Sequence, residues 1–95
     1  MDFAPIQMGQ IKDEILLKKI ALRLKALREE RGISQEQLYN ETDIHIARIE
    51  TAKVNISVST LSKLCSYFKI PLTEFFSKIE DTIRGKSTKA NKDND

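Results

Sequence analysis

Cysteine is nearly missing from this chain of 95 residues. A single one, Cys65, has no partner for an internal disulfide, which excludes a cross-linked scaffold and agrees with a reducing compartment. Its place on the apolar face of a predicted helix reads as packing rather than reactivity. Glycine and proline are scarce too, three and two, and runs alternating apolar with polar residues are almost absent. Those shortages exclude a β-rich fold. No apolar run approaches the roughly 18 residues of a membrane span. The first residues lack a basic region followed by a hydrophobic one, so no leader or membrane anchor is expected and the reading is cytoplasmic. The lone histidine, His45, has no neighbouring ligand, and one His with one Cys makes no metal site. Without a nucleophile-base set, a metal-ligand cluster or a glycine-rich phosphate loop, the chain does not read as an enzyme. No cofactor or small-molecule effector site is evident.

What is present is helical periodicity. With 40% apolar and 32% charged residues, the composition suits one small soluble domain with a single core. Residues 1–10, with Pro5 and Gly9, show no period and read as a flexible arm. From Ile11 the pattern predicts a long helix to Arg31, stopped by Gly32, which enters the left-handed conformation without strain. On its wheel Leu16, Leu17, Ile20, Leu24 and Leu27 form a core stripe, while Ile11, Ile15, Leu22 and Ala26 gather on nearly the opposite face. That second stripe requires its own cover, from the C-terminal helix of the same chain or from a second chain.

Ser34 caps a second helix, with Gln37 completing a capping-box pattern and Leu38 facing the core. The pattern breaks around Thr42-Asp43 and resumes as a shorter helix, with Ile46 and Ile49 inward and His45, Ala47 and Arg48 outward. Ser57 caps a fourth helix carrying Val58, Leu61, Leu64, Cys65 and Phe68. Pro71 separates it from a last one carrying Leu72, Phe75, Phe76, Ile79 and Ile83, with Phe75 and Phe76 closing the floor of the bundle. Residues 85–95 hold one apolar side chain and read as a disordered polar tail, leaving 11–84 as the folded domain.

Two short helices joined by a tight turn make a helix-turn-helix. The runs Ser34-Gln35-Glu36-Gln37-Leu38 and Ile46-Ala47-Arg48-Ile49-Glu50, followed by Lys53, Asn55 and Ser57, resemble the lambda-repressor-like (xenobiotic-response-element, XRE) helix-turn-helix family. Leu-Arg-Glu-Glu-Arg-Gly-Ile-Ser-Gln before them and Leu-Thr-Glu-Phe-Phe after them extend the likeness over roughly residues 16–76. The resemblance implies an all-α, compact five-helix domain, here with extended first and last helices, that binds double-stranded DNA, usually as a homodimer. It implies that Gln35, His45 and Arg48 meet the groove and its rims. Lys53, Asn55 and Ser57 match the phosphate-binding positions, and Arg28 and Glu50 match a structural salt bridge. Ile11, Ile15, Leu22, Ile79 and Ile83 form a possible dimer or partner face.

The chain departs from the family pattern in three ways. Tyr39 stands where a small alanine is usual, so it must swing outward or force the motif helices apart. Nearly one turn is missing, either at the His45/Ile46 junction or earlier, with Thr42 kept as the cap of the third helix. Net charge is only +2, and between Ile33 and Val58 the acids Glu36, Glu41, Asp43 and Glu50 outnumber Arg48 and Lys53. Arg48 is a candidate either for bidentate reading of guanine or for pairing with phosphate or Asp43. Two functions follow from this. One is a sequence-specific transcriptional regulator on a near-palindromic operator; the other is a protein-interaction module, antitoxin-like or adaptor, on the same fold.

Overall fold

A computed structural model describes residues 11–79, and within them the chain is helical, with no strand. The first helix, α1, spans Glu14–Glu30. It starts three residues later than the periodicity from Ile11 implies, because the Asp13 carboxylate accepts the Leu16 N–H at 3.0 Å and caps the helix there. Its other end closes through Gly32, whose φ of +64° lets its N–H reach the Glu29 carbonyl while Ile33 N–H reaches that of Arg28. This pair of bonds satisfies the last carbonyls and turns the chain, leaving Arg31 outside the helix.

Next come α2 at Gln35–Thr42, α3 at Ile46–Ile49 and α4 at Val58–Phe68. A fifth helix, α5, follows Pro71 and occupies residues 72–79. Serines start two of these helices: Ser34 Oγ accepts from Gln37 N–H at 2.9 Å, and Ser57 Oγ from Thr60 N–H at 3.0 Å. The capping box at Ser34 is only half made, since the Gln37 side chain turns to Glu41.

The core is one cluster drawn from all five helices. Ile20, Leu24 and Leu27 of α1 meet Leu38, Ile46, Leu61, Leu64, Phe68, Phe75 and Ile79. Three expected core positions lie at its edge instead. Val58 is the first residue of α4 and is exposed, Leu16 faces outward near the start of α1, and Phe76 leans edge-on against the buried Phe75 with its own surface partly open. Ala21 takes a core place that the wheel did not assign to it.

Ile79, assigned on sequence to a partner face, is 3% exposed and packs in the core of its own chain. The last helix folds back far enough to bury it, so it is withdrawn from that face. Ile83, the arm 1–10 and the tail 85–95 lie outside the described residues. Polar straps join the helices. Arg31 donates to the Phe68 carbonyl at 2.8 Å and lies over that residue's ring, Tyr67 donates to Glu41 at 2.6 Å, and Lys63 donates to the Thr42 carbonyl at 3.0 Å.

Candidate nucleic-acid interface

The turn between α2 and α3 is built by two residues. Asp43 takes a left-handed φ of 67° and returns its N–H to the Tyr39 carbonyl, an arrangement that aspartate tolerates better than most side chains. Thr42 is buried, donates its hydroxyl to the Leu38 carbonyl and accepts the Ile44 N–H. Thr42 therefore finishes α2 rather than capping α3. His45 precedes α3 and makes no side-chain cap bond. Its ring stacks on Tyr39 instead, centroids 4.6 Å apart and tilted by 31°. The tyrosine has swung outward and the motif helices remain close.

With only four residues, α3 is a single turn. Ile46 is fully buried and Ile49 half-buried, which presses the turn onto the core, while Ala47 and Arg48 face solvent. The angle of the turn is set from behind by an ion pair. Arg28 Nε and Nη2 donate to the two carboxylate oxygens of Glu50 at 2.8 and 3.0 Å, and Nη1 donates to the Ile33 carbonyl at 2.8 Å. The side chains are 10% and 5% exposed. The hydrogen bonds to Glu50 raise the pKa of the guanidinium further, so it stays charged.

The expected groove residues are not all equally available. Gln35 donates its amide to Glu50 at 2.8 Å, adding a third donor to that carboxylate instead of reaching outward. His45, Arg48, Asn55 and Ser57 share one groove of about 390 Å³, with Thr60 among its walls. Ser57 has its hydroxyl engaged with Thr60 at the start of α4. Asn55 donates to the Ile11 carbonyl at 3.2 Å, a bond linking residues far apart in sequence that no local pattern announces. Lys53 lines a second cleft, with Lys12, Glu14 and Lys18. Among the described residues, the Arg48 guanidinium has no ion pair with Asp43 or any other acid.

The acidity of this segment is partly cancelled in place. Glu50 is neutralised by Arg28 from α1, whereas Glu41 accepts a hydrogen bond from the uncharged Tyr67 hydroxyl of α4, which cancels no charge. Of the four local acids, Glu36, Glu41 and Asp43 then stand beside Arg48 and Lys53 with no ion pair among the described residues. Cys65 is buried, and burial pushes its thiol pKa upward, away from reactive thiolate. Among the described residues no His, Cys, Asp and Glu side chains group as metal donors, and no helix is long and apolar enough to cross a membrane.

Paired short helices, a tight turn between them and an ion pair from the first helix to the end of the third define a helix-turn-helix domain of the lambda-repressor-like class. A family profile described as helix-turn-helix matches residues 24–75, more than half of the chain. The chain belongs to this XRE-type helix-turn-helix family. It is similar to the HTH-type transcriptional regulator PuuR of Escherichia coli strain K12 and to that of Shigella flexneri. Each is 39% identical over 61 residues, covering 61% of this chain and 33% of the relative. The chain thus spans about one third of the length of these relatives.

Proposed function

We propose that the protein is a sequence-specific DNA-binding transcriptional regulator in which Arg48 reads a base edge. The observation that carries this reading is the exposure of Arg48, free of acids, on a turn that Ile46 and Ile49 anchor to the core. A guanidinium presented in this way fits guanine O6 and N7, worth about 1–3 kcal/mol of discrimination against a wrong base. His45 lies on the rim, its ring tilted by 31° against that of Tyr39. Lys53 supplies phosphate contact, and Ser57 offers a helix start where anions are favoured. Gln35 and Asn55 serve this surface indirectly, the first by completing the bonds to Glu50 and the second by holding the segment before α1 against the loop.

The functional unit is a homodimer, bringing two α3 turns to half-sites about 34 Å apart on a near-palindromic operator. Support for a second chain comes from Ile11, Ile15 and Leu22, which are 86%, 71% and 58% exposed along one side of α1 and the residues before it. The same exposed stripe favours the second reading, a protein-interaction module that uses the fold with little or no specific DNA binding.

Selection from a pool of random duplexes tests the first reading. The wild-type chain enriches a two-fold symmetric site, and Arg48→Ala keeps affinity for DNA in general while losing preference at one base pair of each half-site. Failure of the wild-type chain to enrich any sequence would remove specific reading and leave the interaction module.

A further inference from the structure

Three lysines from separate parts of the chain meet in a cleft of about 470 Å³ beside the DNA-facing loop. Lys12 lies just before α1, Lys18 within it, and Lys53 in the loop between α3 and α4; Glu14 is the only acid among the lining residues. Their meeting depends on two straps that run in opposite directions. Lys12 Nζ donates to the Lys53 carbonyl at 3.2 Å, and Asn55 Nδ2 donates to the Ile11 carbonyl at 3.2 Å. The loop that follows α3 is thereby fastened to the residues leading into α1.

Like charges gathered in this way repel one another, and the fold gains from the arrangement only when an anion or water screens them. The carbonyl contact uses one of the three N–H donors of Lys12. Lys18 and Lys53 are exposed. Thr51, on the cleft wall, has its hydroxyl engaged with the Arg48 carbonyl and Lys53 N–H, which stiffens the loop under the lysines. The cleft and the Arg48 groove draw on consecutive residues of one loop, Thr51 to Lys53 for the first and Val54 to Ser57 for the second.

We propose that Lys12 and Lys18, with Lys53, form a second phosphate track that grips the DNA backbone flanking the half-site. The inference rests on the DNA-binding reading and adds two residues to it. It also gives Asn55 a role: its amide holds Lys12 in line instead of meeting phosphate itself. The ligand is the phosphodiester backbone, so the track adds affinity without sequence preference.

The test uses the full chain and a labelled duplex of random sequence, with affinity measured by anisotropy from about 50 to 200 mM salt. Each phosphate contact contributes close to 0.9 to the slope of log K against log salt. A Lys12→Ala, Lys18→Ala double variant is expected to flatten that slope by about 2. The Lys12→Arg, Lys18→Arg double variant keeps the wild-type slope, and base preference in the duplex selection is unchanged by either pair.

A double alanine variant with the wild-type slope, alongside a Lys53→Ala variant whose slope is shallower, overturns the track and leaves DNA binding standing. Loss in the alanine pair that arginine does not restore overturns it as well, because the lysines then act through something other than charge. A wild-type chain whose affinity for duplex ignores salt overturns both the track and the reading on which it rests.

Discussion

Arg28 holds both carboxylate oxygens of Glu50, with Nε at 2.8 Å and Nη2 at 3.0 Å, while both side chains are nearly shut off from water. Its remaining nitrogen is bonded to the Ile33 carbonyl, just ahead of α2. One guanidinium therefore ties the end of α1, the entry to α2 and the close of α3. A turn of four residues has too few backbone bonds to hold its own direction, and this clamp supplies it.

Glu50→Gln removes the counter-charge and leaves Arg28 buried with a neutral neighbour. Breaking a buried pair from one side costs about 3–5 kcal/mol. A drop in the thermal midpoint is expected, read by circular dichroism. An unchanged midpoint would show that the clamp contributes nothing to stability.

Leu22 is 58% exposed on the outer side of α1. Leu22→Glu is expected to leave the helical spectrum and midpoint of the subunit intact while converting a dimer to a monomer in sedimentation velocity. If wild type and variant sediment alike, the outer side of α1 is not the contact between subunits.

Lys69 takes a φ of 60° at the end of α4, where its N–H bonds the Ser66 carbonyl and Ile70 N–H bonds that of Cys65. This is the position glycine ordinarily fills, and a side chain there is strained by about 1 kcal/mol. Lys69→Gly is expected to raise the unfolding free energy by about 1 kcal/mol, read as a higher denaturant midpoint. A lower midpoint would mean that the lysine side chain contributes more than the strain removes.

Tyr67 has its pKa pushed up to about 12, chiefly by the hydrogen bond to Glu41, with burial and the nearby carboxylate charge adding to it. The folded chain thus holds the phenolic proton more tightly than the unfolded chain, whose tyrosine titrates near 10. That stabilisation is fully present below about pH 10 and is lost as pH rises through about 12. Tyr67→Phe is expected to remove this part of the alkaline decline, measured as urea midpoints at several pH values. A decline of equal size in the variant would place its origin elsewhere.

Much of this architecture was legible before any coordinates. Caps at Ser34 and Ser57, the stop at Gly32 and the spacing of Leu24, Leu27, Leu38, Leu64 and Phe68 are local signals, and local chemistry decided each of them. A helical wheel is weaker at the ends of a helix. Val58 and Leu16 share the right angle with their stripes but lie beyond the reach of the core, and Asp13 overruled the apolar period by capping first.

The candidate site was harder to read, because its polar side chains choose partners that sequence distance hides. Gln35 turns to Glu50, and Asn55 turns to Ile11 across 44 positions of chain. Lys12 and Lys18 were visible only as part of the charge of the first helix. Nothing in their spacing places them beside Lys53.

The shortness of α3 also bears on redesign. Of its four residues, Ile46 and Ile49 belong to the packing, so Ala47 and Arg48 are the two whose replacement leaves the scaffold untouched. Anyone retargeting this protein by grafting a longer family member's reading residues has two vacancies to fill. New preferences would have to be written into the neighbouring turn, at His45 and Tyr39, or imported as extra chain length.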